Sequence, residues 1–205
     1  MIRVLYINIS QASEEDYRRL YERASQERRE RADRYLRRED ALRCVTADAL
    51  LRYATGRTDL SVAHTPEGKP YLTDAPDFHF SLTHSGDYVA IAYGPSPVGV
   101  DIEQIRHDGI RPGIAQRFFT PAEQAFATTP EKFFQIWSMK ESYLKFLGTG
   151  LAYPLQSFDV LAEPIASQFQ IEQIPGHVFT VFSPDSTKKM EKITLSLLIS
   201  SEGVV

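Results

Sequence analysis

Val98-Gly99-Val100-Asp101-Ile102-Glu103 and Trp137-Ser138-Met139-Lys140-Glu141-Ser142-Tyr143-Leu144-Lys145 are the two blocks around which this chain is organised. The first alternates with period two. As a strand it turns Val98, Val100 and Ile102 to one face and Gly99, Asp101 and Glu103 to the other. Residues two apart on a strand stand roughly 7 Å from each other, so both carboxylates can reach one cation. The second block reads as a helix that Gly148 ends. Glu141 and Lys145 lie four apart on one helical face. Three acids and a lysine on two rigid elements suit a hard metal ion carrying phosphate oxygens. Each piece alone has a plainer reading: a solvated strand edge for Asp101 and Glu103, and a surface ion pair for Glu141 and Lys145. Gly99, on the face of the acids, points to a close approach by some other group.

The chain has 205 residues, 42% hydrophobic and 24% charged, as expected of a globular protein able to bury a real core. No apolar run is long enough to span a bilayer, so no membrane partner is expected. Residues 1–9 alternate and read as a first strand rather than a signal peptide. The single cysteine, Cys44, rules out an internal disulfide and fits a reducing, cytoplasmic compartment. It falls within a predicted helix and reads as packing. The net charge of −4 is unevenly spread. From Arg18 to Arg43 there are 10 arginines against 6 acids, which leaves +4 there and −8 in the rest. That basic stretch is either a set of solvated helix faces or a surface for an anionic partner.

The N-terminal half is read as a strand, a capped helix from Ser13 to about Ala24, a second helix from Ser25 to Tyr35, and a longer helix from Arg38 to Thr55 stopped by Gly56. A loop carrying Gly68-Lys69-Pro70 leads to a hairpin of residues 78–83 and 88–93 around His84-Ser85-Gly86-Asp87. Gly94-Pro95-Ser96-Pro97 is the candidate boundary between domains 1–97 and 98–205. The second half repeats the layout. A strand at 98–103 precedes a loop with Arg106, His107 and Gly109. Thr120-Pro121-Ala122-Glu123 and Thr129-Pro130-Glu131 each start a helix with an N-cap and an N1 proline. Three further strands are expected at 169–174, 177–182 and 193–199. The fold class is α+β: two pseudo-symmetric halves, each of helices packed on a small, mainly antiparallel sheet. Trp137 reads as core. No zinc cluster, P-loop, dinucleotide fingerprint or nucleophile elbow is present.

Taken together and in this order, Gly68-Lys69-Pro70, Ser81-Leu82-Thr83-His84-Ser85, Gly99-Val100-Asp101-Ile102-Glu103, Phe118-Phe119-Thr120-Pro121-Ala122-Glu123 and Trp137 to Lys145 resemble the 4′-phosphopantetheinyl transferases of the Sfp type. The resemblance runs over most of residues 1–160 and includes Arg37-Arg38-Glu39-Asp40-Ala41 and Arg43. It implies transfer of the 4′-phosphopantetheine arm of coenzyme A to a serine hydroxyl of an apo acyl or peptidyl carrier protein, with release of 3′,5′-ADP. Asp101, Glu103 and Glu141 would hold Mg²⁺, with Glu141 also a candidate base, Asp101 part of the catalytic set and Lys145 on the phosphates; Lys140 is a weaker candidate helper. Arg43, Lys69, Thr83 and His84 match positions that contact coenzyme A. Arg28 and Arg31 stand where relatives carry lysine. A carrier contact is expected near Phe118 and Phe119 or on the helix of Glu123. The shorter branch of the superfamily forms trimers of one domain, so a chain with two matching halves is expected to be a monomer. Two rivals remain: another metal-dependent phosphoryl-transfer enzyme such as a nuclease, and a binding module that docks carriers or nucleic acid. The acidic balance outside residues 18–43 speaks against nucleic acid.

Overall fold

A computed structural model describes residues 1–106, 112–185 and 188–201. The predicted elements of the first half form where local chemistry marks them. Strand β1 (Ile2–Asn8) leads to helix α1 (Glu14–Arg23), where Ser13 and Asp16 complete a reciprocal capping box. Ser25 caps α2 (Gln26–Ala32), three residues shorter than expected. Helix α3 (Arg38–Thr55) ends at Gly56 in the left-handed conformation, with φ of 68°. A small hairpin, β2 (Val62–His64) and β3 (Pro70–Leu72), was not predicted and carries the Gly68-Lys69 turn. The hairpin β4 (His79–Ser85) and β5 (Tyr88–Gly94) is as expected, with each strand one residue longer.

The second half opens with β6 (Gly99–Gln104). Helices α4 (Pro112–Phe118), α5 (Pro121–Phe126) and α6 (Pro130–Leu147) follow, and α6 stops at the left-handed Gly148. Short 3-10 turns then lead into β7 (Phe169–Ile174) and β8 (His177–Phe182). His107 and Gly109 lie outside the described residues. The expected strand at 193–199 is a helix instead. The strand is β9 (Lys188–Lys192), and α7 (Leu195–Ser201) succeeds it. Alternating Ile193, Leu195, Leu197 and Ile199 mimics a strand. Yet the Thr194 hydroxyl accepts from Leu197 N–H as an N-cap, and helical spacing buries Leu198 and Ile199 while leaving Leu197 exposed.

One sheet has the order β4-β5-β1-β9, antiparallel except for the parallel pair β1–β9; the other is antiparallel, in the order β6-β8-β7. The first sheet is buried on both faces, which explains the unbroken apolar run of β5. Leu5, Ile7, Val89 and Ile91 face α1, α3 and α7. Ile2, Val4, Ala90 and Ala92 face Val98, Val100, Ile102, Phe179 and Val181 of the second sheet. A third cluster packs α6 with Phe119, Phe158 and Val178. The fold is therefore α+β, with helices outside two sheets that pack on each other. Among the described residues no helix is long and apolar enough to cross a membrane.

Helix α6 lies unusually close to the second sheet because the residues between them are small. A Cβ on Gly99 would stand 1.8 Å from the Ser142 carbonyl oxygen and 2.6 Å from Phe146 N. The close approach that Gly99 signals is thus made by the catalytic-candidate helix itself. Ser138, Ser142 and Thr180 fill the rest of the contact with a closed set of hydrogen bonds. On its other side α6 is fixed by Lys140, which is fully buried. Its ammonium pairs with Glu123 at 2.8 Å and donates to the carbonyls of Leu155 and Phe158.

Two consequences can be measured. Gly99→Ala should cost about 3 kcal/mol or more, because a methyl there meets backbone that cannot yield; a melting curve matching the wild type would show that α6 does not approach β6 this closely. Lys140→Met leaves Glu123 buried and unpaired and should cost about 3–5 kcal/mol, with Glu123→Gln added to it restoring part of the loss. Additive losses in denaturant melts would refute the pairing.

Candidate functional site

The edge strand of each sheet, β4 and β6, run alongside one another, joined by side chains. Ser81, Thr83 and Ser85 alternate along β4. Their hydroxyls accept from the N–H groups of Val100, Ile102 and Gln104 at 3.2, 3.3 and 3.0 Å. Two of them also donate: Thr83 to Asp101 Oδ1 at 3.1 Å and Ser85 to Glu103 Oε2 at 3.2 Å. Each of these two hydroxyls thus spends its proton on a carboxylate and a lone pair on the backbone beside it. Sequence reasoning named Thr83 but passed over Ser81 and Ser85. Their period-two spacing with Thr83 was the available signal.

Asp101 is 4% exposed. Besides Thr83, its Oδ1 accepts from Lys145 Nζ at 2.6 Å, and Lys145 also donates to the Val100 carbonyl at 3.1 Å. Its second oxygen, Oδ2, is buried and has no partner. Glu103 and Glu141 are half-buried beside it. Burial and then the Asp101 charge push the Glu103 carboxyl up to about 7, against the pull of Ser85 and Lys145. The same two causes in the same order raise Glu141, which Lys145 partly offsets. Among the described residues no three His, Cys, Asp or Glu side chains stand close enough together to hold a metal ion. Chemically the set still suits one: its donors are all oxygen, they repel one another, and one is buried without a partner.

Two adjoining cavities open on this seam. One, of about 290 Å³, is lined by Arg28, Arg31, Tyr35, Thr83, His84, Asp101, Glu103 and Lys145. The other, of about 300 Å³, is bounded by Lys69, Pro70, Phe80, Leu82, Glu141, Leu144 and Lys145. All the residues expected to hold coenzyme A or metal, except Arg43, line one cavity or the other, with different degrees of freedom. Arg31 is exposed and bonds Tyr35. Arg28 stands 3.8 Å from Asp48, which also holds Arg52 at 2.8 Å. Arg43 is anchored by the Gly86 carbonyl at 2.8 Å and Asp40 at 2.6 Å. Lys69 donates to the Phe146 carbonyl at 3.0 Å, and burial lowers its basicity. His84 projects from the strand end at the cavity mouth. Desolvation by the groove walls, then Arg43 and Lys145, hold its imidazole below the usual range.

Two expectations require correction. Lys140 does not reach the site: it is buried on the opposite side of α6, held by Glu123. Adjacent residues of a helix point about 100° apart, so Lys140 and Glu141 cannot share a face. Phe119 is fully buried against Phe133 and offers nothing to a partner. Phe118 is half-buried, edge-on to Trp137, in the same core cluster.

Comparison with known proteins follows the same seam. A family model described as "4'-phosphopantetheinyl transferase, N-terminal" matches residues 11–96, and one described as "4'-phosphopantetheinyl transferase superfamily" matches residues 97–190. The "4'-phosphopantetheinyl transferase ffp" of Bacillus subtilis is 38% identical over 160 residues, covering 72% of this chain and 70% of that relative. The "4'-phosphopantetheinyl transferase Sfp" of Bacillus subtilis (strain 168) is 36% identical over 160 residues, with the same coverage of 72% and 70%. The "4'-phosphopantetheinyl transferase gsp" of Aneurinibacillus migulanus is 30% identical over 175 residues, covering 77% of this chain and 70% of that protein. With two matched segments that meet at the junction of the sheets, this chain belongs to the 4′-phosphopantetheinyl transferase superfamily, in its Sfp-type branch, and is an enzyme of that class.

Proposed function

We propose that this enzyme takes the 4′-phosphopantetheine arm from coenzyme A, attaches it to a serine hydroxyl of an apo acyl or peptidyl carrier protein and releases 3′,5′-ADP. One observation carries the reading: Asp101 and Glu103 line a cavity edged by Arg28, Arg31 and His84, Glu141 lines an adjoining one edged by Lys69, and Lys145 lines both. A pyrophosphate with a further phosphate needs such a divided site, cationic at one end and able to assist bond breaking at the other. In this reading residues 1–97 hold the phosphates and residues 98–205 carry the acids, in a cytoplasmic monomer.

Mg²⁺, held by Asp101, Glu103 and Glu141, would neutralise the pyrophosphate oxygens. The chain's own residues supply the rest. Lys145 has three N–H donors, and Asp101 and Val100 occupy two, which leaves one for a phosphate oxygen. Arg28 and Arg31 offer planar donor pairs suited to the 3′-phosphate, with Thr83 and His84 at the strand end beside them, while Arg43, held by Gly86 and Asp40, keeps its other terminal nitrogen for it. Glu141, with its carboxyl raised by burial and by Asp101, is suited to take the serine proton. The nuclease reading uses the same acids but has no need of two adjoining cavities with cationic side chains at the edge of each.

Intact-protein mass spectrometry tests the activity. An apo carrier incubated with this enzyme, coenzyme A and Mg²⁺ should gain one phosphopantetheine mass. The gain should fall at least about 100-fold with Glu141→Ala and vanish with chelator. A carrier that stays unmodified across several carrier types would refute the reading. The acids also leave a thermodynamic mark. Glu103 titrates near 7 in the folded chain, above its ordinary 4.5. The native state therefore keeps the proton longer than the unfolded one. That contribution to stability is complete below about pH 4.5 and is lost as pH rises through 7. In chelator at pH 8, Glu103→Gln should melt several degrees above the wild type, and the difference should close towards pH 5. Equal melting temperatures at pH 8 would show that Glu103 is not strained by its neighbours.

A further inference from the structure

His177 opens strand β8 in the second half, yet its ring packs on the first. It is 5% exposed. Its Nδ1 stands 2.9 Å from the Pro175 carbonyl, and since a carbonyl only accepts, Nδ1 carries the proton. Nε2 is buried and has no hydrogen-bond partner. The ring is edge-on to Tyr88, with centroids 4.8 Å apart. It faces the turn between β4 and β5: a Cβ placed on Gly86 would lie 2.5 Å from Nε2 and 3.1 Å from Gln104 Cδ. Gly86 also has φ of 53°, which an L side chain rarely adopts. The turn is therefore clamped between a ring and a backbone that only glycine can supply.

What this turn carries makes the clamp significant. The Gly86 carbonyl is the acceptor that anchors Arg43 Nε. The preceding Ser85 hydroxyl donates to Glu103 and accepts from Gln104 N–H. Gln104 is the residue opposite His177 in the β6–β8 ladder. So one imidazole touches the segment that places an arginine of the first half and an acid of the second. We propose that His177 is a positioning residue: it buttresses the Ser85-Gly86 turn so that the Gly86 carbonyl holds Arg43 in a fixed geometry. It touches neither substrate itself. The proposal rests on the transferase reading of the site.

The test is a set of variants in the full chain. His177→Asn retains a donor for the Pro175 carbonyl but removes the far side of the ring; His177→Ala removes both. Each should raise the KM for coenzyme A about tenfold while moving the KM for the carrier less than about twofold, because only the phosphate arm depends on Arg43. In an Arg43→Ala background the same changes should add less than about twofold for coenzyme A, since the residue they act through is gone. A stability defect alone would lower total activity without separating the two KM values. Equal effects on both substrates, no change in the KM for coenzyme A, or full additivity with Arg43→Ala would each overturn the proposal. If the wild type modified no carrier, the transferase reading would fail instead. Calorimetry would then decide the buttress alone: coenzyme A binding about tenfold weaker in His177→Asn supports it, and unchanged or absent binding overturns it.

Discussion

Three hydroxyls on β4 hold this molecule together. Edge strands ordinarily face solvent or pair through backbone ladders. Here β4 and β6 keep apart as strands and are joined by Ser81, Thr83 and Ser85, which accept from the backbone of β6. The arrangement leaves space between the edges instead of closing one continuous sheet, and the two cavities lie there. It also couples architecture to chemistry, since Thr83 and Ser85 orient Asp101 and Glu103 with the same atoms that bridge the sheets. The acids therefore take part of their geometry from the docking of the halves, and Asp101 takes the rest from Lys145.

Helix α6 supplies the other wall and is located by two opposite devices. On the sheet side, Gly99 and a small hydroxyl cluster let its backbone descend onto β6 and β8. On the far side, a buried ammonium reaches three oxygens of α5 and the segment behind it. Glu141 and Lys145 emerge between these anchors on the cavity side. The density of like charge that results is unfavourable for folding and useful for gathering a cation and phosphates, a common balance where function concentrates acids.

Most of this was legible in the sequence where local signals were strong. Capping residues and stop glycines fixed α1, α3, α5 and α6, and period-two alternation located the hairpin and β6. The acids and Lys145 were legible through spacing. Other features were not. The C-terminal segment alternates as a strand would, and only its packing against the other helices decides for α7. Its true strand, β9, is Lys-Lys-Met-Glu-Lys, too charged to resemble a core strand, because it lies at the edge of the sheet. The inward direction of Lys140 depends on a partner 17 residues upstream, Glu123, which local pattern does not register. The role of His177 likewise arises from tertiary contact with a distant turn.

The parallel pair β1–β9 has a bearing on how the chain is made. The first sheet contains residues 2–8 and 188–192, with the second sheet and α6 inserted between them in the chain. During synthesis β1 can pair with β5 early, but its other edge waits until residues 188–192 have been made. The helical cover of that sheet waits equally long, because α7 follows β9. Until residues 188–201 have been made, a growing chain thus presents an open, apolar-flanked edge, and the first sheet closes late, by a contact between segments far apart in sequence.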